Sequence, residues 1–332
     1  MASTMKPPEH APDFLAACGW AGAEILPLAG DASFRRYFRV VQGERTAVLM
    51  DAPRPHEDPR PFVAVAEWLA SVGLSAPQIL ARDLDKGLLL LGDFGDWRLR
   101  ELLDSDPQRE RELYELATDV LIHLHRHKPM PGLMSHGLQQ WLTELELFTE
   151  WYCPAVGADV DLPGYRSAWL QVLEPVAKDG LGPVTVLRDY HAENIMLVND
   201  RQGVEHFGLL DFQDALAGHP AYDLASVLED ARRDVSPEVE RAMIDRYIAA
   251  TGKGEALERA YWALAAQRNT RILGVFTRLW KRDDKPHYRR FQPRMWGLLE
   301  RDLAQPGLEP VREWFDNNIA PEHRREPWKQ AA

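Results

Sequence analysis

Cysteine is scarce: Cys18 and Cys153 are the only two in 332 residues. They lie far apart, with no CxxC pair and no Cys/His cluster. That argues against a disulfide framework or a structural zinc site and fits a reducing, cytoplasmic compartment. Long apolar runs are missing too. No stretch reaches the ~18 apolar residues a bilayer span needs, and the opening MASTMKPPEH has no apolar signal core. The expectation is a protein free of the membrane, with residues 1–10 as a flexible tail. Nor is there an excess of basic charge, since 39 Lys and Arg face 51 Asp and Glu for a formal net charge of −12. Such a field repels a nucleic-acid backbone, so a general nucleic-acid binder is not expected. It tolerates neutral or cationic small molecules, and a local basic pocket can still hold an anion. Repeats and low-complexity tracts are absent, and nothing in the chain calls for an obligate protein partner.

What is present changes its period along the chain. From about Ala23 to Asp93 the segments AEILPLA, FRRYFRVV, RTAVLMD, PQILARD and GLLLLGD are strand-like, separated by Gly, Asp and Pro breaks. One helix, roughly Arg60 to Val72, follows the third. Beyond Trp97 apolar residues recur three and four apart in ELYELATDVLIHLH and WLTELELFTEWY. Two short strand-like pieces, PVTVLRD and HFGLLDF, interrupt this region, and helices resume from about Tyr222, including Ala256 to Lys281. The expected fold class is α+β: a small β-rich lobe over 11–93, a hinge at 94–97, and a larger, mostly α lobe over 98–332.

The chemistry concentrates in LRDYHAENIMLV, with Asp189 and Asn194 five residues apart, and in GLLDFQDALAGHPAYDLAS, with Asp211 and Asp214. Alone, each Asp also suits a cap or a turn. Together they supply what phosphoryl transfer needs: a carboxylate to orient the attacking hydroxyl and take its proton, and an amide oxygen plus a second carboxylate to hold magnesium against phosphates.

The order D-x-H-x-x-N, a short strand pair, then DFQDA and YDLAS resembles the aminoglycoside and choline phosphotransferase superfamily, over most of the chain. The resemblance implies a protein-kinase-like two-lobe fold using ATP and Mg2+. It makes Asp189 the catalytic base, Asn194 and Asp211 the magnesium ligands, His191 the histidine that often follows the base, and Asp223 an acidic brace of the catalytic loop. His191 and Asp214 remain open between a direct and a bracing role. The triplet Asp93-Phe94-Gly95 has the letters of a kinase metal site but lies upstream of the base. It reads as the end of the hinge strand, where the backbone from about Leu91 to Phe94 would meet adenine.

Two departures stand out. The histidine usual before the base is replaced by Leu187-Arg188, which puts a cation beside Asp189. Met50 or Asp51 stands near where the phosphate-binding lysine is expected, leaving Glu67 without its usual partner. In LAGDASFRRYFRV the backbone at Gly30 and Ala32, the Ser33 hydroxyl and the charge of Arg35 or Arg36 are the candidate replacements. Strand alternation aims only one of the two arginines at the nucleotide; solvated strand arginines are the other reading.

The GDASFRRYFRV loop, MDAP and DFQDA together resemble a narrower branch, the anomeric kinases for N-acetylmuramate and N-acetylglucosamine in cell-wall recycling. This implies a sugar substrate phosphorylated on its C1 hydroxyl. Arg268 and Arg271, three apart on one helix face, are candidates for the muramate carboxylate or else an ion-paired face. Trp141, Trp151 and Trp169 suit either a sugar platform or the core. An aminoglycoside or choline kinase and a nucleotide-binding pseudokinase are the alternatives.

Overall fold

The structure, a computed structural model, describes residues 5–28 and 34–325. The chain divides into two compact units, Met1–Ser105 with Glu193–Asp214, and Asp106–Ala192 with Ala215–Ala332. This differs from the boundary read at 94–97, because 98–105 and 193–214 join the first unit.

The first unit is built on a five-stranded antiparallel sheet: β1 (Glu24–Pro27), β2 (Arg36–Gln42), β3 (Arg45–Asp51), β4 (Ile79–Asp83) and β5 (Leu88–Gly92), in spatial order β1-β2-β3-β5-β4. The apolar run LLLLG is buried at all four leucines because β5 lies between β3 and β4. One core joins Phe38, Val40, Ala47, Leu49, Leu88 and Leu90 to Phe14 and Leu15 of a short helix, Ala11–Ala17. Removing a side chain such as Phe38 from such a core costs about 3–5 kcal/mol. The flexible-tail expectation needs correction for residues 5–10: Met5 packs against this core, and Arg36 Nη1 donates to the Lys6 carbonyl at 3.3 Å.

The segment 193–214 belongs here because of distant backbone pairings. Its hairpin, Ile195–Leu197 with Phe207–Leu209, donates hydrogen bonds from Leu197 N to Trp97 O (2.8 Å) and from Leu209 N to Ser75 O (2.7 Å). Phe94 of the Asp-Phe-Gly triplet lies over Gly208, where a Cβ would approach its ring to 2.6 Å. The triplet is a turn: Gly95 N donates to Asp93 Oδ1 at 2.9 Å, with Gly95 at φ +85°.

The second unit is mostly helical. The helix Gly254–Lys281 runs through it, and Gly274 lets it touch the backbone of Leu147, which a Cβ would meet at 2.4 Å. A small sheet pairs Ser135–His136, Leu216–Gly218 and Val184–Val186 in that order. Trp141 and Trp169 are core residues and Trp151 is half-buried. The helix expected through WLTELELFTEWY is an α-helix, Leu138–Leu147, continued by a π-helical turn, Phe148–Tyr152. Cys18 and Cys153 are both free. Among the described residues no helix is long and apolar enough to cross a membrane.

Candidate active site

In the second unit, strand Val184–Val186 delivers the chain to Asp189 through an unusual turn. Arg188 has φ +70°, and Asp189 N donates back to Leu187 O at 2.9 Å, closing a three-residue turn that is rare because it is strained. Such a conformation costs about 1–3 kcal/mol and persists only when its surroundings over-determine it. Asp223 does so. It is fully buried, and its two carboxylate oxygens accept the N–H groups of Leu187 (2.6 Å) and Arg188 (2.9 Å). Hydrogen bonds to a charged group contribute about 1.5–3 kcal/mol each, enough to hold the turn. Burial pushes the Asp223 carboxyl up to about 7, against the pull of those two donors.

The rest of the loop is fastened residue by residue. Tyr190 donates its hydroxyl to Ala117 O at 2.9 Å, and Ala192 N donates to the buried Asp230 carboxylate at 3.2 Å. His191 is buried, and Arg232 Nη1 donates to its Nε2 at 3.4 Å. Asp189 itself is half-exposed.

Beside it, Glu144 gathers four partners on one buried carboxylate. Arg188 Nη2 donates to Oε1 at 3.3 Å, while Oε2 takes His136 Nε2 at 3.3 Å and Gln267 Nε2 at 3.4 Å, with Arg271 Nε 3.7 Å away. Burial alone would raise the Glu144 carboxyl; His136, Arg271 and Arg188 outweigh it and hold it at about 2. The pairing expected for Arg268 and Arg271 splits. Arg268 is buried and donates to Glu229 O at 3.2 Å, so only Arg271 is directed to this cluster.

In the first unit, the hairpin fixes Asn194 and Asp211 across from each other. Ile195 pairs with Leu209, and Leu210 N donates to Asn194 O at 2.9 Å just beyond that pair. Asp211 has φ +55°, a left-handed conformation that Asp tolerates better than most residues. Its Oδ1 accepts from Arg35 Nη2 (3.2 Å) and Gln213 Nε2 (2.8 Å), and Phe212 packs on Phe62 with ring centroids 4.9 Å apart. Among the described residues no group of three His, Cys, Asp or Glu is placed to hold a metal. An amide oxygen and a carboxylate still fit magnesium, which commonly takes one or two protein oxygens and completes its shell from phosphates and water.

The remaining expected residues are used elsewhere. Arg36 is bound by the buried Asp51 opposite it on β3, Nε to Oδ2 at 2.7 Å, and Met50 is fully buried. Of the two arginines, Arg35 is the one that reaches Asp211. The Asp93 side chain accepts from Arg39 Nη2 at 3.2 Å and so fastens its own turn; Gly92 N–H donates to Gln78 O, so that donor is already used. Asp214 is exposed and touches only Gln213 in the described bonding. Glu67 makes a surface pair with Arg82 at 3.0 Å. Gly30, Ala32 and Ser33 lie outside the described residues.

Glu144 was missed in the sequence reading, although a signal existed. It lies three residues after Trp141 and four before Phe148, on the buried face of the helix, where a carboxylate needs a reason to be.

Residues 24–262 match the model of the phosphotransferase enzyme family. The N-acetylmuramate/N-acetylglucosamine kinase of Caulobacter vibrioides is 36% identical, over 94% of this chain and 96% of its own. The protein of that name from Pseudomonas aeruginosa is 38% identical over 91% of each chain. An ADP-bound aminoglycoside phosphotransferase superposes with a TM-score of 0.56 at 17% identity, over 87% of this chain and 97% of that one. The α+β, protein-kinase-like fold is shared with that structure, the kinase chemistry rests on the family model and the curated relatives, and the chain belongs to the phosphotransferase enzyme family.

Proposed function

We propose that the protein transfers the γ-phosphoryl group of ATP to the C1 hydroxyl of N-acetylmuramate and N-acetylglucosamine, in the cytoplasm, as a step of cell-wall recycling. The observation that carries the reading is the near full-length similarity to kinases named for those two sugars, joined to the retained Asp189, Asn194 and Asp211.

Asp189 orients the C1 hydroxyl and takes its proton as the oxygen bonds to the γ-phosphorus. The bond from that phosphorus to the β–γ bridging oxygen breaks, giving ADP and a sugar 1-phosphate. An anomeric hydroxyl is more acidic than an ordinary alcohol, which lowers the demand on a carboxylate base. Asn194 and Asp211 would hold Mg2+, which neutralises charge on the phosphates when bound. Arg35 takes the part of the missing lysine: its guanidinium, on Asp211 in this structure, would turn to phosphate oxygens when a metal takes that carboxylate. Arg36 is committed to Asp51 and is left out of this role. Adenine is read by backbone from Asp93 onward, past the paired Gly92. Asp223 and His191 act as supports of the base rather than as reactants.

The test is ADP release with N-acetylmuramate, N-acetylglucosamine, glucose, choline and kanamycin in separate assays. Turnover confined to the two amino sugars is expected. Turnover on choline or kanamycin alone would keep the chemistry and overturn the substrate.

A further inference from the structure

Glu144 is one carboxylate with two guanidiniums. Its side chain is 6% exposed, whereas those of Arg188 and Arg271 keep 22% and 21% of their surface. His136 completes the cluster: its Nδ1 accepts from Trp141 Nε1 at 3.4 Å, and its Nε2 lies 3.3 Å from Glu144 Oε2. The cluster thus carries one positive charge beyond what Glu144 neutralises. The Nε atoms of Arg188 and Arg271 are buried without a hydrogen-bond partner, so neither guanidinium is fully used by the protein. Position matters as much as charge. Arg188 precedes Asp189 in the chain, and Arg271 is close enough to feel the charge of Asp189, which together with Tyr222 and Glu144 holds its guanidinium above the ordinary value despite burial.

We propose that Arg188 and Arg271, spread apart by Glu144, bind a carboxylate carried by the acceptor sugar and so favour an acidic amino sugar over its neutral counterpart. The proposal rests on the amino-sugar reading above. N-acetylmuramate is N-acetylglucosamine with a lactyl ether, and that ether carries the carboxylate. Guanidinium-to-carboxylate bonds are among the stronger polar contacts, and planar arginine suits them better than lysine. Glu144 has a second consequence. A pocket built only to bond a missing group rejects the analogue strongly because its own polar groups go unpaired. Here the arginines retain Glu144 when the substrate brings no carboxylate, so the neutral sugar is disfavoured and still accepted.

The test compares kcat/KM for N-acetylmuramate, its neutral methyl ester and N-acetylglucosamine, in the wild-type chain and in Arg271→Gln, Arg271→Lys and Arg188→Gln. In the wild type the acid should exceed its ester by about tenfold or more, mostly through KM. Arg271→Gln should bring that ratio to within about threefold, and Arg271→Lys should restore part of it. The wild-type comparison needs no variant to fold: an acid-to-ester ratio near one overturns the inference. So does an Arg271→Gln enzyme whose acid and ester activities fall equally. In either case turnover of the two sugars leaves the amino-sugar reading standing, while absence of turnover on any amino sugar overturns that reading and this inference with it.

Discussion

Glu144 and Asp211 each accept a hydrogen bond from an arginine, at 6% and 28% side-chain exposure. Glu144 sits buried among Arg188, Arg271, His136 and Gln267. Asp211 meets Arg35 and Gln213 at a left-handed turn on the end of a hairpin, where under the proposed function a cation and phosphates would take their place. On the proposed function, the same kind of contact is part of the framework in one region and a resting arrangement in the other. Burial decides which: a buried charge that loses its partner stays desolvated, whereas a half-exposed one is rescued by solvent.

Glu144→Ala should have the largest effect, about 3–5 kcal/mol of stability, because it leaves two arginines facing an empty site. Chemical denaturation would measure it, and a change under about 1 kcal/mol would erase the distinction drawn here. Asp211→Ala should do the reverse. Its kcat/KM should fall about 100-fold, or about 2.7 kcal/mol of transition-state stabilisation, with a steeper magnesium requirement and a nearly unchanged denaturation midpoint. An unchanged magnesium titration would remove Asp211 from the metal site. Arg35→Met should raise the KM for ATP by about tenfold, the scale of one charge-assisted contact to phosphate; an unaltered KM would return Arg35 to a structural role.

The pH dependence sharpens the contrast. The Glu144 carboxyl is held at about 2, below its usual 4.5, so the stability it contributes is present above about 4.5 and is lost as pH falls toward 2. The gap in stability between wild type and Glu144→Gln should therefore shrink between pH 5 and pH 2, and a gap constant over that range would contradict the ionised pair. The smallest effect belongs to Glu67→Ala. Its exposed bond to Arg82 should change stability by no more than about 1 kcal/mol and leave ATP binding alone, which nucleotide titration would check.

Much of this was legible in the sequence where the signal is local. The five strands of the first sheet, the helix after the third and the order Asp189, Asn194, Asp211 each lie within a few residues of their own evidence. Two features were not legible. Glu144 acts on Arg188, 44 residues away, and although its place on the buried face of its helix marks it as unusual, nothing local names its partner. The return of 193–214 to the first unit depends on Ser75 and Trp97, about a hundred residues distant, and no local periodicity reports such pairings. The choice between Arg35 and Arg36 had the same character. Alternation said that one would face the nucleotide, but only their partners, Asp211 and Asp51, tell them apart.

The central claim is that Asp189 drives phosphoryl transfer to C1 of an amino sugar. Phosphorus NMR of the product formed from ATP and N-acetylglucosamine, by the wild-type chain and by Asp189→Asn, tests it most directly. The account predicts a sugar 1-phosphate whose rate of formation drops by about 100-fold or more in the variant, the scale of a lost general base, while nucleotide binding is largely kept. A phosphate on another hydroxyl, or a variant that keeps more than a few per cent of the rate, would contradict it.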